Sequence, residues 1–374
     1  MIKKWRSYFV PDTKMINSRL DTILQNALNS PKLRSDEIRY LLELRQDMAV
    51  SRLFKTARQI RHRHFGNKIF LYGFLYFSTF CRNGCRFCQF RKANTNLRRY
   101  RKTDSEIIEA ARRMADSGVH LIDLTMGEDP EFLQINGNGV ARLENLVRAI
   151  KAATGLPVMI SPGVISADML KRLAQAGADW YACYQETHSQ ALFKHLRPGQ
   201  SYNARWQAKQ HALKTGLMIE EGILTGVGES ASDILHSLEM MRSLKAAQVR
   251  IMSFRPQNDI PITPDVPTDD LCEPVTIAVM RLIFPDRLIP ASADVDGQDG
   301  LEQRLRAGAN VVTSLIPPEK GFSGVVSHTL DIDNARRMPQ NIMPILEHCA
   351  LEAASVEDYM GWIEKNPLLT GNED

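Results

Sequence analysis

Residues 67–332 of this 374-residue chain read as a (β/α)8 barrel of the TIM type, an α/β fold, on three observations. From Lys68 onward, apolar runs of strand length alternate with amphipathic stretches of helix length, the order that builds a parallel sheet with helices outside it. There are eight such runs, the number that closes this barrel. The polar residues that look misplaced among them fall at or near the C-terminal ends of the runs, where barrel enzymes keep their chemistry. A doubly wound open sheet would want a phosphate-binding glycine fingerprint after its first strand, and none is present.

Taken in order, residues 1–66 read as an N-terminal helical extension covering the bottom or side of the barrel. Leu41, Leu42, Leu44, Met48 and Leu53 recur at roughly helical spacing there, with no strand-like alternation. Strands are expected near 69–77, 119–125, 157–161, 178–184, 217–225, 248–253, 287–292 and 309–315. Helices are expected near 104–117, 139–154, 166–176, 201–215, 231–246, 268–282 and 299–307. Several open on capping chemistry: Thr103-Asp-Ser-Glu106 is a capping box, Ser166 precedes Ala-Asp, and Thr268 precedes Asp-Asp. Several close on glycine, as at Gly118, Gly177, Gly216 and Gly308. Residues 333–374 read as a C-terminal helical segment packed on the barrel, interrupted at Met338-Pro339 and Met343-Pro344, with Gly371 to Asp374 frayed.

Composition bounds the function classes. A chain with 44% hydrophobic and 24% charged residues is of the soluble globular kind. Its net charge of +4 comes largely from runs such as Arg58-Gln-Ile-Arg-His-Arg63 and Arg98-Arg-Tyr-Arg-Lys102, which read as solvated faces; no nucleic-acid partner is expected. Met1 to Val10 has no apolar signal region, and no span approaches the roughly 18–20 apolar residues of a membrane helix. A cytoplasmic protein without a membrane partner is expected. Cys183, Cys272 and Cys349 stand singly, as reduced thiols do.

The stretch the rest serves is Cys81-Arg-Asn-Gly-Cys85-Arg-Phe-Cys88, directly after the first strand. Three thiolates can hold a cuboidal [4Fe-4S] cluster and leave one iron free for an exchangeable ligand. Such an iron can chelate the amino and carboxylate groups of S-adenosyl-L-methionine and reduce its sulfonium. Three other readings compete. Cysteines at this spacing would line one face of a helix, but Asn83 and Gly84 favour a turn. Structural zinc normally wants four ligands, and no second Cys pair lies nearby. A disulfide would need an oxidising compartment.

The loop resembles the signature of the radical S-adenosylmethionine superfamily, and residues from about 50 to 350 resemble its biotin synthase-like branch. Within that branch Tyr76 to Cys85, Tyr184-Gln-Glu-Thr-His188 and Leu196-Arg-Pro-Gly199 are most similar to the methylornithine-forming lysine mutases of pyrrolysine biosynthesis. The resemblance implies conversion of L-lysine to (3R)-3-methyl-D-ornithine, the first step of that pathway. A hydrogen leaves the lysine γ-carbon, the bond between the α and β carbons breaks, the glycyl fragment rejoins at the γ-carbon, and the resulting primary radical recovers the hydrogen.

It also implies roles. Cys81, Cys85 and Cys88 are the cluster ligands. Phe87 lies against the adenine, and Met126-Gly127-Glu128 receives the methionyl amino group, Met126 departing from the usual glycine. Glu186 holds the ribose or amino end of the cofactor; Arg197 and Arg205 partner its carboxylate, with Ser161 a further contact. Gly226-Val-Gly228-Glu229 reads as a tight turn approaching the cofactor. For the substrate the resemblance points to Asp123, Arg250, Ser292 and Asp294. Chemistry asks for the same types, because lysine in a dry barrel mouth needs a cation for its carboxylate and an anion for each ammonium. A reducing donor such as flavodoxin or ferredoxin is implied as partner. Two rivals stand beside this reading: a biotin synthase-like or hydrogenase-maturase-like enzyme acting on another small molecule, and an Fe-S regulator without turnover.

Overall fold

The structure, a computed structural model, describes residues 13–30, 32–134, 138–262, 269–293, 296–317, 321–324 and 337–366. Three helices come first: α1 (Thr13–Asn29), α2 (Ser35–Leu42) and α3 (Asp47–Phe65). The barrel follows as β1 (Lys68–Ser78), α4 (Asp104–Asp116), β2 (Leu121–Met126), α5 (Pro130–Leu133), α6 (Gly139–Thr154), β3 (Val158–Ser161), α7 (Ala167–Gln175) and β4 (Trp180–Ala182). It continues as α8 (Gln190–Leu196), α9 (Tyr202–Lys214), β5 (Met218–Thr225), α10 (Ala231–Ser243), β6 (Gln248–Ser253), α11 (Cys272–Ile283), β7 (Pro290–Ser292), α12 (Gly297–Arg306) and β8 (Val311–Leu315). Last come α13 (Pro339–His348), β9 (Glu352–Ala353) and α14 (Val356–Glu364).

The strands pair in parallel in the order β6-β5-β4-β3-β2-β1-β8-β7. The remaining seam, between β6 and β7, is joined by one bridge, Gln248 with Leu288. There Val249 N donates to Leu288 O at 3.0 Å and Leu288 N to Ala247 O at 3.2 Å. The ring thus closes at the N-terminal end of β6. The strands are buried on both sides, which is why they appear in the sequence as apolar runs rather than alternations.

Capping chemistry sets helix starts. Thr103 accepts from Glu106 N while the Glu106 carboxylate accepts from Thr103 N at 2.8 Å, the reciprocal pair a capping box requires. Ser166 caps α7 with its side chain alone, accepting from Met169 N at 3.2 Å. The expected cap at Thr268 lies outside the described residues, and α11 begins at Cys272. That helix is buried along its whole length, because β6 packs on one side of it and α2 and α3 on the other.

Several expectations are corrected. Met48 is 81% exposed and is no part of the apolar face that holds Leu41, Leu42 and Leu53. The basic runs are not simply solvated. Arg61 is buried and donates to Leu305 O and Ala309 O at 2.6 and 3.0 Å, closing the end of α12. Pro344 does not interrupt the C-terminal segment. It sits inside α13, which gives up one internal hydrogen bond for it, while Pro339 opens that helix, where a missing N–H costs nothing. Met1 to Val10 and Gly371 to Asp374 lie outside the described residues. No helix among the described residues is long and apolar enough to cross a membrane.

Candidate active site

Beyond β1 the chain leaves the sheet, and Cys81 to Cys88 run through turns, not a helix, as Asn83 and Gly84 favour. The loop is fixed by its neighbours. Gly127 N donates to Ser78 O at 3.1 Å and Arg82 N to Glu128 O at 3.0 Å, so the exit from β2 runs alongside the start of the loop. The approach is so close that a Cβ at Gly127 would lie 2.3 Å from Phe80 O and 2.7 Å from Cys81 Cβ. On the far side, the Arg99 guanidinium donates to the carbonyls of Thr79, Phe90, Arg91 and Asn94. One cation thereby satisfies backbone that has no ladder to join.

All three sulfurs line one cavity of about 250 Å³ at the C-terminal end of the barrel. Each accepts from a nearby N–H: Cys85 from Arg197 Nη1 at 3.2 Å and Gln200 Nε2 at 3.1 Å, Cys81 from Asn83 N at 3.5 Å, and Cys88 from Phe90 N at 3.4 Å. Burial pushes the Cys81 and Cys88 thiols up, and the neighbouring Cys85 and Cys81 push Cys88 further. All six cysteines are free. Among the described residues no three His, Cys, Asp or Glu side chains are grouped to hold a single metal ion. A cuboidal cluster places its thiolates on different irons and needs no such convergence.

Two buried arginines flank the thiols. Arg197, at the end of α8, donates from Nη2 to Glu186 Oε1 at 2.9 Å and lies 5.0 Å over the Phe87 ring. Arg205, in the first turn of α9, donates from Nη2 to Glu128 Oε1 and Gln200 Oε1, both at 2.8 Å, and from Nη1 to Cys183 Sγ at 2.9 Å. Burial opposes ionisation of Glu128, but Arg205 and the Val164 N–H offset it and hold the carboxyl below its ordinary value. At Glu186 burial prevails and raises the carboxyl, against the pull of Arg197 and Arg205. Glu186 Oε2, Arg197 Nε and Arg205 Nε are buried without a hydrogen-bond partner. Each belongs to a residue that lines the cavity.

Deeper in the barrel, Asp123 accepts from Ser161 Oγ at 2.7 Å. Burial, with Glu220 adding to it, pushes the Asp123 carboxyl up to about 7, although the Ser161 bond lowers it. Arg250 donates from Nε to Glu220 Oε1 at 2.6 Å and from Nη1 to Thr313 Oγ1 at 3.0 Å, while its Nη2 has no partner. Ser292 is buried but does not line the cavity; its hydroxyl meets that of Ser314, which does, at 3.1 Å. Asp294 lies outside the described residues.

The structure therefore gathers the three cysteines, Phe87, Gly127, Glu128, Ser161, Glu186, Arg197, Arg205, Asp123 and Arg250 around one cavity. It leaves the Gly226 to Glu229 turn away from it. That turn is filled by its own Glu229, whose carboxylate accepts from Gly226 N and Val227 N at 2.8 and 2.9 Å. Glu220, Gln200 and Tyr184 are additions to the expected set. Glu220 had a signal in the sequence, since Glu220-Glu221 puts two adjacent carboxylates in the middle of an apolar strand. Cys183 faces the cavity beside Arg205, whereas Cys272 accepts from Thr225 Oγ1 at 2.9 Å at the start of α11. The two do not assemble a second cluster site.

Comparison with known proteins gives three kinds of match. Residues 75–241 match the model of the radical SAM superfamily. The chain is 39% identical over 346 residues to the 3-methylornithine synthase of Methanosarcina acetivorans and 38% identical to that of Methanosarcina barkeri, covering 92% of this chain and 97% of each relative. It superimposes on a crystal structure of methylornithine synthase with a TM-score of 0.84 at 37% identity, over 91% of this chain and 99% of that one.

Proposed function

The chain belongs to the radical SAM superfamily and, within it, to the family of the 3-methylornithine synthases, and on that premise we propose that it rearranges L-lysine to 3-methylornithine with a [4Fe-4S] cluster and S-adenosyl-L-methionine. The observation that carries the reading is one cavity holding three free thiols, two arginine–carboxylate pairs with unsatisfied polar atoms, and a separate acid and cation below them.

Cys81, Cys85 and Cys88 hold the cluster, with Arg197 and Gln200 donating toward Cys85. When bound, the cluster and S-adenosylmethionine supply a carbon radical able to take hydrogen from an unactivated C–H bond. Gly127, Glu128, Ser161, Glu186, Arg197, Arg205 and Phe87 cradle the cofactor. Glu128 would receive the methionyl amino group, the arginines its carboxylate and Phe87 its adenine.

Lysine is held below by Asp123 and Arg250, with Asp294 completing the set. The unpaired Nη2 of Arg250 is a donor for the carboxylate, and Asp123 an acceptor for an ammonium. Lysine and methylornithine are isomers, so the protein's share is to bind, orient and exclude water while the Cα–Cβ bond breaks and Cα rejoins at Cγ. Ionic anchors at both ends keep the two fragments in register. An external one-electron reductant of the flavodoxin or ferredoxin kind completes the set of partners, in the cytoplasm.

The test is anaerobic reconstitution with iron and sulfide, followed by incubation with labelled lysine and a chemical reductant. The expected product is an isomer of lysine bearing a new methyl doublet in its proton spectrum. Consumption of S-adenosylmethionine without any lysine isomer would remove the substrate from the proposal.

A further inference from the structure

Glu186 reaches the cavity from a strained position. Its φ is +67°, a left-handed conformation that residues with a Cβ keep only where the surroundings over-determine it. Beyond β4 the chain no longer follows the regular ladder, yet Glu186 N donates to Gly222 O at 3.0 Å and Leu224 N to Glu186 O at 2.9 Å. The preceding residue, Gln185, is held from outside the barrel. Its N–H donates to Glu221 Oε1 at 2.8 Å, its Nε2 donates to Tyr202 O at 3.1 Å, and its Oε1 accepts from Lys209 Nζ at 2.9 Å. Lys209 and Glu221 also form an ion pair, both side chains fully buried.

This pair has no part in the cavity: neither residue lines it. Burying a lysine and a glutamate is repaid only where the pair's geometry is good and further hydrogen bonds satisfy both groups. Of their three further hydrogen bonds, two go to Gln185 and the third to Gly222. Glu221 Oε1 also accepts from Gly222 N at 2.9 Å, fixing the carbonyl that receives Glu186 N.

We infer that the buried Lys209–Glu221 pair is a positioning device for the cofactor subsite: it clamps Gln185 from the helix side and so aims the Glu186 carboxylate into the cavity beside Arg197. The inference rests on the proposed use of Glu186 at the cofactor. Lys209 and Glu221 are positioning residues and touch neither cofactor nor substrate.

Two measurements test it. The first is a double-mutant cycle on the Kd for S-adenosylmethionine. Lys209→Met alone should weaken binding about tenfold or more, but add less than about threefold on top of Glu186→Ala, because a residue that acts through Glu186 has nothing left to position. Lys209→Arg should recover most of the loss. Additive effects would overturn the inference. The second measurement needs no cofactor: amide hydrogen exchange of the cluster-free protein over residues 184–188. Exchange there should quicken about tenfold or more in Lys209→Met with α4 and α6 unchanged, and equal exchange in the two proteins would equally overturn it. If Lys209→Met leaves Glu221 too costly to bury and the chain does not fold, Lys209→Met/Glu221→Gln, which removes both charges, takes its place in both experiments. A wild-type protein that binds no S-adenosylmethionine would sink the proposed function, while the exchange measurement still judged the clamp.

Discussion

Asp123 carries a carboxyl pushed up to about 7 in the folded chain, from an ordinary value of 3.8, mainly by burial. The folded state therefore holds its proton longer than the unfolded state does. The stabilising contribution is complete below pH 3.8 and is lost as pH rises through 7, up to about 4 kcal/mol for a difference of this size. Asp123→Asn should cancel that loss. Urea denaturation of the cluster-free protein at several pH values should show the variant gaining on wild type between pH 5 and 8, and a constant difference would mean that Asp123 is ionised throughout. A second prediction concerns the thiols. Cys88→Ala should abolish iron and sulfide uptake on reconstitution, whereas Cys183→Ala, which removes only a sulfur bonded to Arg205, should keep both. Residue types at strand ends made most of this site legible: an acid, a serine or an arginine closing an apolar run has few structural excuses. Gln200 was hidden because it lies in a connection between helices, where a glutamine has no pattern to break. Ser292 closes an apolar run just as Ser161 does, yet its hydroxyl is one hydrogen bond behind the wall.

At the scale of elements, the long strands and capped helices were legible because period and capping chemistry agreed, as at Thr103 and Ser166. Short elements were not: α5 spans four residues and α8 seven, too few to show a helical period. The site depends on one contact between elements that the sequence displays only as Met126-Gly127-Glu128. A Cβ at Gly127 would strike the Phe80 carbonyl and Cys81 Cβ, and neither is the end of a flexible side chain. Gly127→Ala should therefore shift the Cys loop. Reconstituted iron should fall well below that of wild type, while Gly84→Ala, with open space around its added carbon, should reconstitute normally. Equal iron in both variants would show that the loop can move aside without losing the cluster ligands.

On the scale of the whole molecule, the active end of the barrel is open to chemistry only because the other end is closed. After α13 the chain returns to β1, where β9 pairs at Lys68 and Ile69, and α14 carries Tyr359 under the barrel floor. Tyr359 is fully buried, its hydroxyl 2.7 Å from that of Tyr72, its ring 5.1 Å from Phe70 and stacked on Trp362, which stacks in turn on Trp180. His120 ties the same corner, its Nδ1 accepting from Leu71 N at 2.7 Å and its Nε2 donating to Ala354 O at 2.9 Å. None of this is visible in the sequence as more than a short helix with a tyrosine and a tryptophan, since Phe70, Tyr72 and Trp180 lie far away in the chain and share no period with it. Its energetic weight separates it from the site. Tyr359→Ala should leave a cavity beneath β1 and β4 and cost about 3–5 kcal/mol of stability in the cluster-free protein, as large aromatic truncations do. Tyr359→Phe keeps the packing but strands the Tyr72 hydroxyl, for about 1–3 kcal/mol. Because the plug sits at the N-terminal ends of the strands and the Cys loop at their C-terminal ends, Tyr359→Phe should keep the wild-type Kd for S-adenosylmethionine at 20 °C while its melting temperature falls. A change in Kd without a change in melting temperature would mean that the two ends of the barrel are coupled through β1.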